Sequence, residues 1–542
     1  MTWLEILPGE SETLHLAGVN EWTFGGDDVS SPDLYLGVDV GTQGSKAGVY
    51  DLEGTLLGGG YAEHIFDHIR PGWVEMDPVQ IEAAVVSAIR SAIDVAGVST
   101  SRIAAMSLSG ILCGPVFVDA DWNPVRPIIP FLDTRAQDEL SWLRTEVEPL
   151  WETESANSSL DTYVMATTYE WVRRNEPDVH ARIEKILSLA PYVAGRLCGL
   201  RVSDAFTDSS HLSGWIIGWN ASTGLVSERQ LAALRIPVEH APHVVRASDV
   251  VGGISREASE RTGLPVGTPV VAGAGDVMQS NLSAGLVSPG MATDVAGTAS
   301  ILTVSVTSPV PAISKVPGML YSVGTLPGQA LYWGYVKAGG LSLRWFRDEI
   351  LGRLGDDALY RELDRRAESV PHGSDGVLFT PYLSGGNPDN PHAFGTWLGM
   401  SAGTDVAVLW RSMLEAIAFE YADFLDVFSE NGIRVGEVLA VGGGARSAIW
   451  NQIKADVNGR PWKVPSRQDG AILANAALAA FGVGAVPDLA DTVAAWVAGG
   501  ASAEPRREAV AVYRKVQDVR RSILASSLRS VFESVARLRS PS

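Results

Sequence analysis

The sequence predicts an α/β protein with more than one domain, and three observations support this. At 542 residues the chain is too long for one hydrophobic core, which indicates two large domains or a few small ones. Apolar runs of strand length alternate with stretches whose apolar residues recur every three or four positions, as in helices. A motif of Asp-Val, a Gly-Thr turn and a following strand occurs near the start of each half, in "DVGTQGSKAGVYD" and "DVAGTASILTVSV". Alone, matches this short support an internal duplication only weakly.

The first of these turns lies in "LGVDVGTQGSKAGVYD", residues 36–51. It matches neither a P-loop nor a dinucleotide-binding turn, because the chain returns to a strand instead of entering a helix. After the Gly-Thr segment, apolar and polar residues alternate on both sides of a second turn at 51–54, which is typical of strands. The Gly-Thr segment is therefore predicted to lie at the tip of a β-hairpin. A phosphate bound there would be held by backbone amides and hydroxyl groups. An ordinary glycine turn explains this segment equally well.

In the first half, the pattern from residue 33 to about 62 predicts strand, hairpin and strand. A helix should follow, because Asp77 and Pro78 form a good N-cap and first-turn pair and an isoleucine or valine recurs every four residues from 81 to 93. Gly97 should end this helix. Further buried strands are expected in "IAAMSLSG" and "GPVFVDADWNPVRPIIPFLDTR".

In the second half, "GTPVVAGAGDVMQSNLSAGL" predicts a buried strand that ends in small residues and an aspartate. "EVLAVGGGARSAIWNQIKADV" predicts strand, triple-glycine turn and helix, and the alanine-rich "LANAALAAFGVGA" predicts a helix that packs closely nearby. The arginine-rich tail from 506 onward carries valines at helical spacing, which we interpret as a surface helix or an oligomer contact.

Composition excludes several classes of protein. A formal charge of −21 repels polyphosphate backbones and anionic membranes, so nucleic acid is not an expected partner. Neither of the two cysteines lies in a Cys-x-x-Cys pair, which indicates no disulfide framework or zinc site and a reducing cytoplasm as the simplest location. The first 33 residues lack Lys and Arg, so we interpret them as an acidic extension and not as a signal peptide. No apolar stretch is long enough to span a membrane.

Four segments, in this order, resemble the FGGY carbohydrate kinases and look most like the xylulokinases: "GVDVGTQGSK", "PGWVEMDPVQ", "AGAGDVMQSNLSAG" and "AVGGGARSAIWNQIKADVNGRPWKVPSRQDGAILANAALAA". The resemblance covers residues 34–483. It implies two actin-like (ribonuclease H-like) domains, each with a mixed five-stranded sheet between helices, that close on ATP in the cleft between them. The expected division is an extension at 1–33, a sugar-side domain at 34–278, a second domain at 279–500 and a helical tail at 501–542.

The resemblance also implies the catalytic residues. Asp276 matches the aspartate that removes the proton from the sugar hydroxyl as general base, and it is also expected beside the metal ion. From the local sequence alone, Asp276 could instead be the N-cap of a helix that starts near Val277. Asp39 matches the aspartate that helps to hold Mg²⁺ on the phosphates.

The resemblance also implies that the two Gly-Thr turns are phosphate-binding loops, one from each domain. Lys46 could equally be a solvated strand residue, and a triple glycine is also an ordinary turn between a strand and a helix. The residues expected to bind ATP are Thr42, Gln43, Lys46, Gly297, Thr298, Gly443, Gly444, Ala445, Ser447 and Asn451.

The sugar-binding residues depart from the xylulokinase pattern. Trp73 and Glu75 match the family, but Leu112 and Cys113 stand where xylulokinases carry Met and His, and Val277 replaces the usual asparagine. These changes make the expected sugar pocket less polar or differently polar, which weakens discrimination between sugars.

The expected function is ATP- and Mg²⁺-dependent phosphorylation of a small sugar, with D-xylulose, giving D-xylulose 5-phosphate, as the leading single substrate. Another pentulose, a hexulose or a polyol such as ribulose, erythritol or a glycerol-like compound is the alternative, and a non-catalytic sugar and ATP sensor is a second one. A homodimer is the one macromolecular partner we consider.

Overall fold

The structure is a computed structural model that describes residues 32–386 and 390–539. The N-terminal extension expected at 1–33 lies outside the described residues apart from its last two. Of these, Asp33 accepts two hydrogen bonds from the guanidinium group of Arg102, at 2.7 and 2.9 Å. Within the described ranges, no helix is both long and apolar enough to cross a membrane.

The first half of the chain builds a six-stranded sheet, smaller two-stranded sheets and the helices around them. Its strands are β1 Leu34–Val40, β2 Gly44–Tyr50, β3 Leu56–Glu63, β4 Asp67–Arg70, β5 Trp73–Glu75, β6 Ile103–Gly110, β7 Val116–Val118, β8 Lys185–Leu187, β9 Phe206–Asp208, β10 Trp219–Asn220, β11 Leu225–Val226, β12 His243–Val245, β13 Val250–Gly253 and β14 Pro269–Gly275. Its helices are α1 Pro78–Ala96, α2 Gln137–Glu146, α3 Trp151–Glu154, α4 Met165–Asn175, α5 Pro177–His180, α6 Leu189–Cys198, α7 Ser209–Ser213, α8 Glu228–Ala233, α9 Arg256–Thr262 and α10 Asp276–Ser283.

The second half of the chain builds a seven-stranded sheet and a separate two-stranded sheet. Its strands are β15 Met291–Ala296, β16 Ser300–Val306, β17 Leu320–Val323, β18 Ala330–Val336, β19 Leu378–Thr380, β20 Thr396–Leu398, β21 Glu437–Val441, β22 Trp462–Val464 and β23 Ala501–Ala503. Its helices are α11 Pro311–Ser314, α12 Gly339–Trp345, α13 Ala358–Ala367, α14 Val406–Glu430, α15 Ala448–Asn458, α16 Ala471–Gly482, α17 Leu489–Trp496, α18 Arg507–Ala525 and α19 Ser527–Arg539.

The two sheets share one topology. The order β3-β2-β1-β6-β14 in the first sheet corresponds to β18-β16-β15-β21-β22 in the second. In both, the first three strands are antiparallel and the last two run parallel to the third. Edge strands are added to each five-stranded core. The Gly-Thr turns occupy equivalent positions, between β1 and β2 and between β15 and β16, so each lies at a hairpin tip as predicted.

Helix α1 begins and ends where the sequence predicts. The carboxylate of Asp77 accepts a hydrogen bond of 2.9 Å from the backbone N–H of Val79, and Pro78 is the first helical residue. Gly97 closes the helix with φ of 63°, in the left-handed region that glycine adopts without strain. The buried face of α1 packs against β2 and β3.

Replacing Asp77 by alanine should destabilise the fold by about 1 kcal/mol, because an N–H of the first turn loses its acceptor. Urea unfolding of the purified variant measures this difference. Asp94→Ala is the matched control, since Asp94 is an exposed carboxylate near the other end of the same helix. Equal unfolding free energies for the two variants would contradict the capping role.

Helix α16 crosses back from the second half of the sequence to the first sheet, where it packs on β1 and β6. A Cβ atom at Gly37 would lie 1.9 Å from the carbonyl oxygen of Ile472, so glycine is needed for this close approach. The prediction that this alanine-rich helix packs near the triple-glycine turn was therefore wrong.

The C-terminal tail is helical, as predicted, but it is not simply a surface element. Its buried residues follow each other at helical spacing and pack α18 against α15 and, through hydrogen bonds, against α14: Ala509, Tyr513, Gln517, Arg520 and Leu524. The valine stripe is partly solvent-exposed, with Val519 at 55%. The valines did not mark the buried face of α18, because that face also carries polar residues. One of them, Arg520, is buried through ion pairs with Glu420 and Asp423 of α14.

Candidate functional site

Asp39 lies near the carboxyl end of β1, opposite Lys46 on β2. The hydroxyl of Ser109, on the neighbouring strand β6, donates a hydrogen bond of 2.8 Å to the Asp39 carboxylate. Burial raises the pKa of Asp39, while the Ser109 hydrogen bond and the charge of Lys46 act in the opposite direction. Lys46 itself is solvent-exposed on β2, so both a phosphate contact and a solvated strand residue stay open for it.

Asp276 is the first residue of α10, directly after β14. The N-cap of this helix is Gly275, which makes no side-chain cap, and the Asp276 carboxylate accepts a hydrogen bond of 2.8 Å from the N–H of Val277. The alternative reading of Asp276 as an N-cap is therefore wrong. Because β14, β6 and β1 are parallel neighbours, their carboxyl ends meet at one edge of the sheet, where α/β proteins bind ligands.

The two carboxylates influence each other. Burial first, and then the negative charge of Asp39, raise the pKa of Asp276 to about 7. A carboxylate with such a pKa is partly ionised at neutral pH and takes up a proton readily. The pair has the electrostatics of a general base beside a second, charge-bearing carboxylate.

This raised pKa predicts how stability depends on pH. The carboxyl of Asp276 has a pKa near 3.8 when unfolded and about 7 when folded, so the loss of stability that it causes grows as the pH rises from about 4 to 7 and levels off above 7. The free energy of unfolding of Asp276→Asn should therefore exceed that of wild type at pH 8 by up to about 4 kcal/mol, and the gain should vanish toward pH 4. Calorimetric scans without metal or nucleotide measure it. A gain that is the same at both pH values would contradict the raised pKa.

An apolar wall lies beside Asp276. Leu112, Cys113 and Val277 belong to one cluster, together with Met278 and Leu331. Burial, with a contribution from the charge of Asp276, raises the pKa of the Cys113 thiol to about 12, so this thiol stays neutral. Its Sγ atom donates to the carbonyl of Gly214 at 3.4 Å. Cys113 thus offers no charge and only a weak polar contact to a ligand near Asp276.

In the second half of the chain, residues of both segments that are predicted to bind ATP, the second Gly-Thr turn and the triple-glycine turn, line one cavity of about 460 Å³. Its lining includes Gly297, Thr298, Gly443, Gly444 and Ser447. Sequence reasoning missed four arginines that also line it, Arg344, Arg347, Arg361 and Arg446, because no motif marks them, and two aspartates, Asp357 and Asp364, lie among them. Backbone N–H groups, a hydroxyl and guanidinium groups around one cavity suit a ligand that carries phosphate.

The remaining predicted ATP-binding residues are not among those that line this cavity. Asn451 is buried and donates 2.8 Å to the carbonyl of Ala445, which holds the turn after the triple glycine. Thr42 is partly exposed and Gln43 exposed at the tip of the first hairpin, where the N–H of His64 donates to the Gln43 carbonyl at 3.0 Å. Direct contact of any of the ten predicted residues with ATP stays a prediction.

The family of the chain follows from two matches. Residues 34–283 match the family model described as the N-terminal domain of the FGGY family of carbohydrate kinases, and residues 292–483 match the C-terminal domain of the same family. The chain belongs to the FGGY family of carbohydrate kinases. It is therefore a phosphotransferase with an alcohol group as acceptor, as the sequence resemblance implied.

Curated relatives carry two different names. The autoinducer-2 kinase of Salmonella typhimurium strain LT2 is 28% identical over 504 residues, which cover 89% of this chain and 92% of the relative. The xylulose kinase of Lactococcus lactis is 26% identical over 492 residues, covering 89% of this chain and 95% of the relative.

Solved FGGY structures share the fold. The xylulose kinase from Rhodospirillum rubrum aligns with a TM-score of 0.82 at 28% identity, covering 93% of this chain and all of the other. The glycerol kinase of Plasmodium falciparum, solved with ADP, aligns with a TM-score of 0.81 at 18% identity, covering 92% and 99%. The prediction of two actin-like domains is confirmed.

Trp73 and Glu75, which match the FGGY pattern, lie in an ion-pair cluster. The guanidinium group of Arg135 lies 4.1 Å from the Trp73 ring centre, and its Nη1 donates 2.7 Å to Glu75. Arg126 donates 2.9 Å to the same carboxylate oxygen. These contacts order the segment after β4, and a role of either residue in sugar binding stays a prediction.

The described residues contain no cluster of three or more His, Cys, Asp or Glu side chains able to hold a metal ion by themselves. Asp39 and Asp276 nevertheless fit Mg²⁺, because this ion is usually bound by one or two carboxylates together with the phosphates of a substrate. The hard oxygen donors of these two side chains are the ligand type that Mg²⁺ prefers.

Proposed function

We propose that this FGGY kinase transfers the γ-phosphate of ATP to a hydroxyl group of a small sugar or polyol, with D-xylulose as the first substrate to test. The observation that carries the proposal is the pair of carboxylates at one sheet edge, in which Asp276 has a pKa of about 7. A base of this pKa can accept a hydroxyl proton at neutral pH.

The proposed roles are those that the family resemblance implies, and the carboxylate pair and the cavity support them. Asp276 holds the acceptor hydroxyl and takes its proton, and Asp39 faces the phosphates. Mg²⁺, when bound there with ATP, neutralises phosphate charge. The Gly-Thr turn at Gly297 and Thr298 and the turn at Gly443 and Gly444 present backbone N–H groups to the nucleotide.

Two observations bear on the choice of substrate. The apolar wall of Leu112, Cys113 and Val277 favours an acceptor with fewer hydrogen-bonding groups on that side. Relatives named autoinducer-2 kinase and xylulose kinase match the chain at similar identity, so autoinducer-2 is the second candidate.

The test is a substrate panel with purified protein, ATP and Mg²⁺, in which ADP release is followed. The panel holds D-xylulose, D-ribulose, hexuloses, erythritol, glycerol and autoinducer-2. Turnover of one or more compounds is expected, with kcat/KM highest for a single one. No turnover of any compound would contradict the kinase proposal for this chain, and calorimetric sugar binding without turnover would favour the sensor alternative.

The proposal includes the domain division at 278 and 279, a cytoplasmic location and a homodimer as the oligomer to look for. Helix α10 continues across this point to Ser283, and α16 of the second segment packs on the first sheet. Light scattering of the purified protein tests the oligomeric state.

A further inference from the structure

Asn475 is the one polar residue of α16, in the sequence AILANAALAAFG, and it is fully buried. Its side-chain amide lies against the first sheet. The Nδ2 atom is 2.7 Å from the carbonyl oxygen of Val38 on β1 and 2.8 Å from the hydroxyl of Ser109 on β6. The Ser109 hydroxyl is in turn 2.8 Å from the carboxylate of Asp39.

The chemistry of the groups determines which atom donates and which accepts in this series of hydrogen bonds from Asn475 to Asp39. A backbone carbonyl can only accept, so the NH₂ end of Asn475 must face Val38, and its second hydrogen points to Ser109. The Ser109 oxygen accepts that hydrogen, so its own proton is directed at Asp39. Turning the amide over would place two carbonyl oxygens against each other.

We propose that Asn475 is a positioning residue that acts through Ser109 to hold the carboxylate of Asp39 in the orientation that phosphoryl transfer requires. The proposal rests on the proposed role of Asp39. It also gives α16 a function: a helix from the end of the second family domain supplies a side chain that orders a carboxylate of the first.

The competing explanation is that Asn475 only fastens α16 to β1 through the Val38 carbonyl. A double-mutant cycle separates the two, because residues that act through one chain of hydrogen bonds give non-additive effects. The variants are Asn475→Ala, Ser109→Ala and the double variant. Alanine suits α16, which is already rich in alanine.

Asn475→Ala and Ser109→Ala should each lower kcat by about 10-fold, the effect typical of partners that orient a metal-facing ligand, with KM for the sugar unchanged. The double variant should be no slower than Ser109→Ala. The readout besides activity is the affinity for ADP by calorimetry with and without Mg²⁺. The enhancement by Mg²⁺ should fall equally in all three variants.

Asn157→Ala is the matched control, because Asn157 is also fully buried and donates from Nδ2 to the carbonyls of Ile216 and Tyr321. It should lower the unfolding temperature and leave the Mg²⁺ enhancement unchanged. Additive effects of Asn475→Ala and Ser109→Ala would overturn the proposal. So would an Asn475→Ala variant that is less stable but binds and turns over normally.

If Asn475→Ala does not fold, Ser109→Ala alone still tests the hydrogen-bond series. An unchanged enhancement of ADP affinity by Mg²⁺ in that variant overturns the proposal. Failure of this inference is distinct from failure of the proposed function. Wild-type turnover with unaffected variants contradicts the role of Asn475 alone, whereas a wild-type protein without turnover contradicts the kinase proposal.

Discussion

Asp276→Asn is expected to lower kcat by about 10²- to 10⁴-fold, the range that a positioned general base contributes. Asparagine keeps the shape of the side chain but cannot take the proton of the acceptor hydroxyl. The raised pKa of Asp276, about 7, is the property that this substitution removes. The measurement is kcat with the best substrate of the panel at saturating ATP and Mg²⁺.

The control is nucleotide affinity. Most of the residues proposed to hold the nucleotide belong to the second half of the chain, so the Kd for ADP without Mg²⁺ should stay within about twofold of wild type. A near-normal kcat for Asp276→Asn would mean that the base is another group. A lost kcat together with lost ADP binding would point to a folding defect and not to the chemistry.

Lys454→Met is expected to destabilise the protein by about 3–5 kcal/mol, the cost of leaving a buried charge without its partner. Lys454 and Asp294 form an ion pair of 2.5 Å, and both side chains are fully buried. The Asp294 carboxylate also accepts 2.6 Å from the hydroxyl of Tyr421 and 3.1 Å from the indole of Trp462. Burial lowers the pKa of Lys454, and the neighbouring Asp294 opposes this shift.

Two further variants make this prediction specific. Lys463→Met removes an ion pair with Glu437 whose lysine side chain is 44% exposed, and it should cost at most about 1 kcal/mol. The double variant Asp294→Asn and Lys454→Met leaves no buried charge and should recover most of the lost stability. Urea unfolding measures all three. Equal losses for the two single lysine variants would contradict the buried pair.

Asp39 and Asp294 show that the same local sequence pattern can lie in two different environments. Both stand in an Asp-Val pair before a Gly-Thr turn, on the corresponding strands β1 and β15. In the structure, Asp39 lies near Asp276 at the sheet edge, while three donors enclose Asp294. The difference comes from helices that are distant in sequence, because α15 brings Lys454 to the second sheet and α16 brings Asn475 to the first.

Local sequence was sufficient for elements whose signals lie within a few residues. The hairpins around both Gly-Thr turns, the cap of α1 at Asp77 and its end at Gly97 were all predicted, because turn chemistry, capping and apolar periodicity act over one or two turns of chain. The four ordered motifs also identified the FGGY family.

Tertiary structure alone decided which elements meet. The periodicity of α16 and α18 indicated that a face is buried but not its partner, so α16 was expected elsewhere and the buried arginine of α18, Arg520, was missed. The pKa of Asp276 likewise depends on Asp39, which lies on a strand more than two hundred residues away in sequence. The sequence by itself determined the local elements and the family, because their signals are short-range. The carboxylate pair, the buried ion pair and the path from Asn475 to Asp39 arise only when distant segments pack together, because burial and charge act through space.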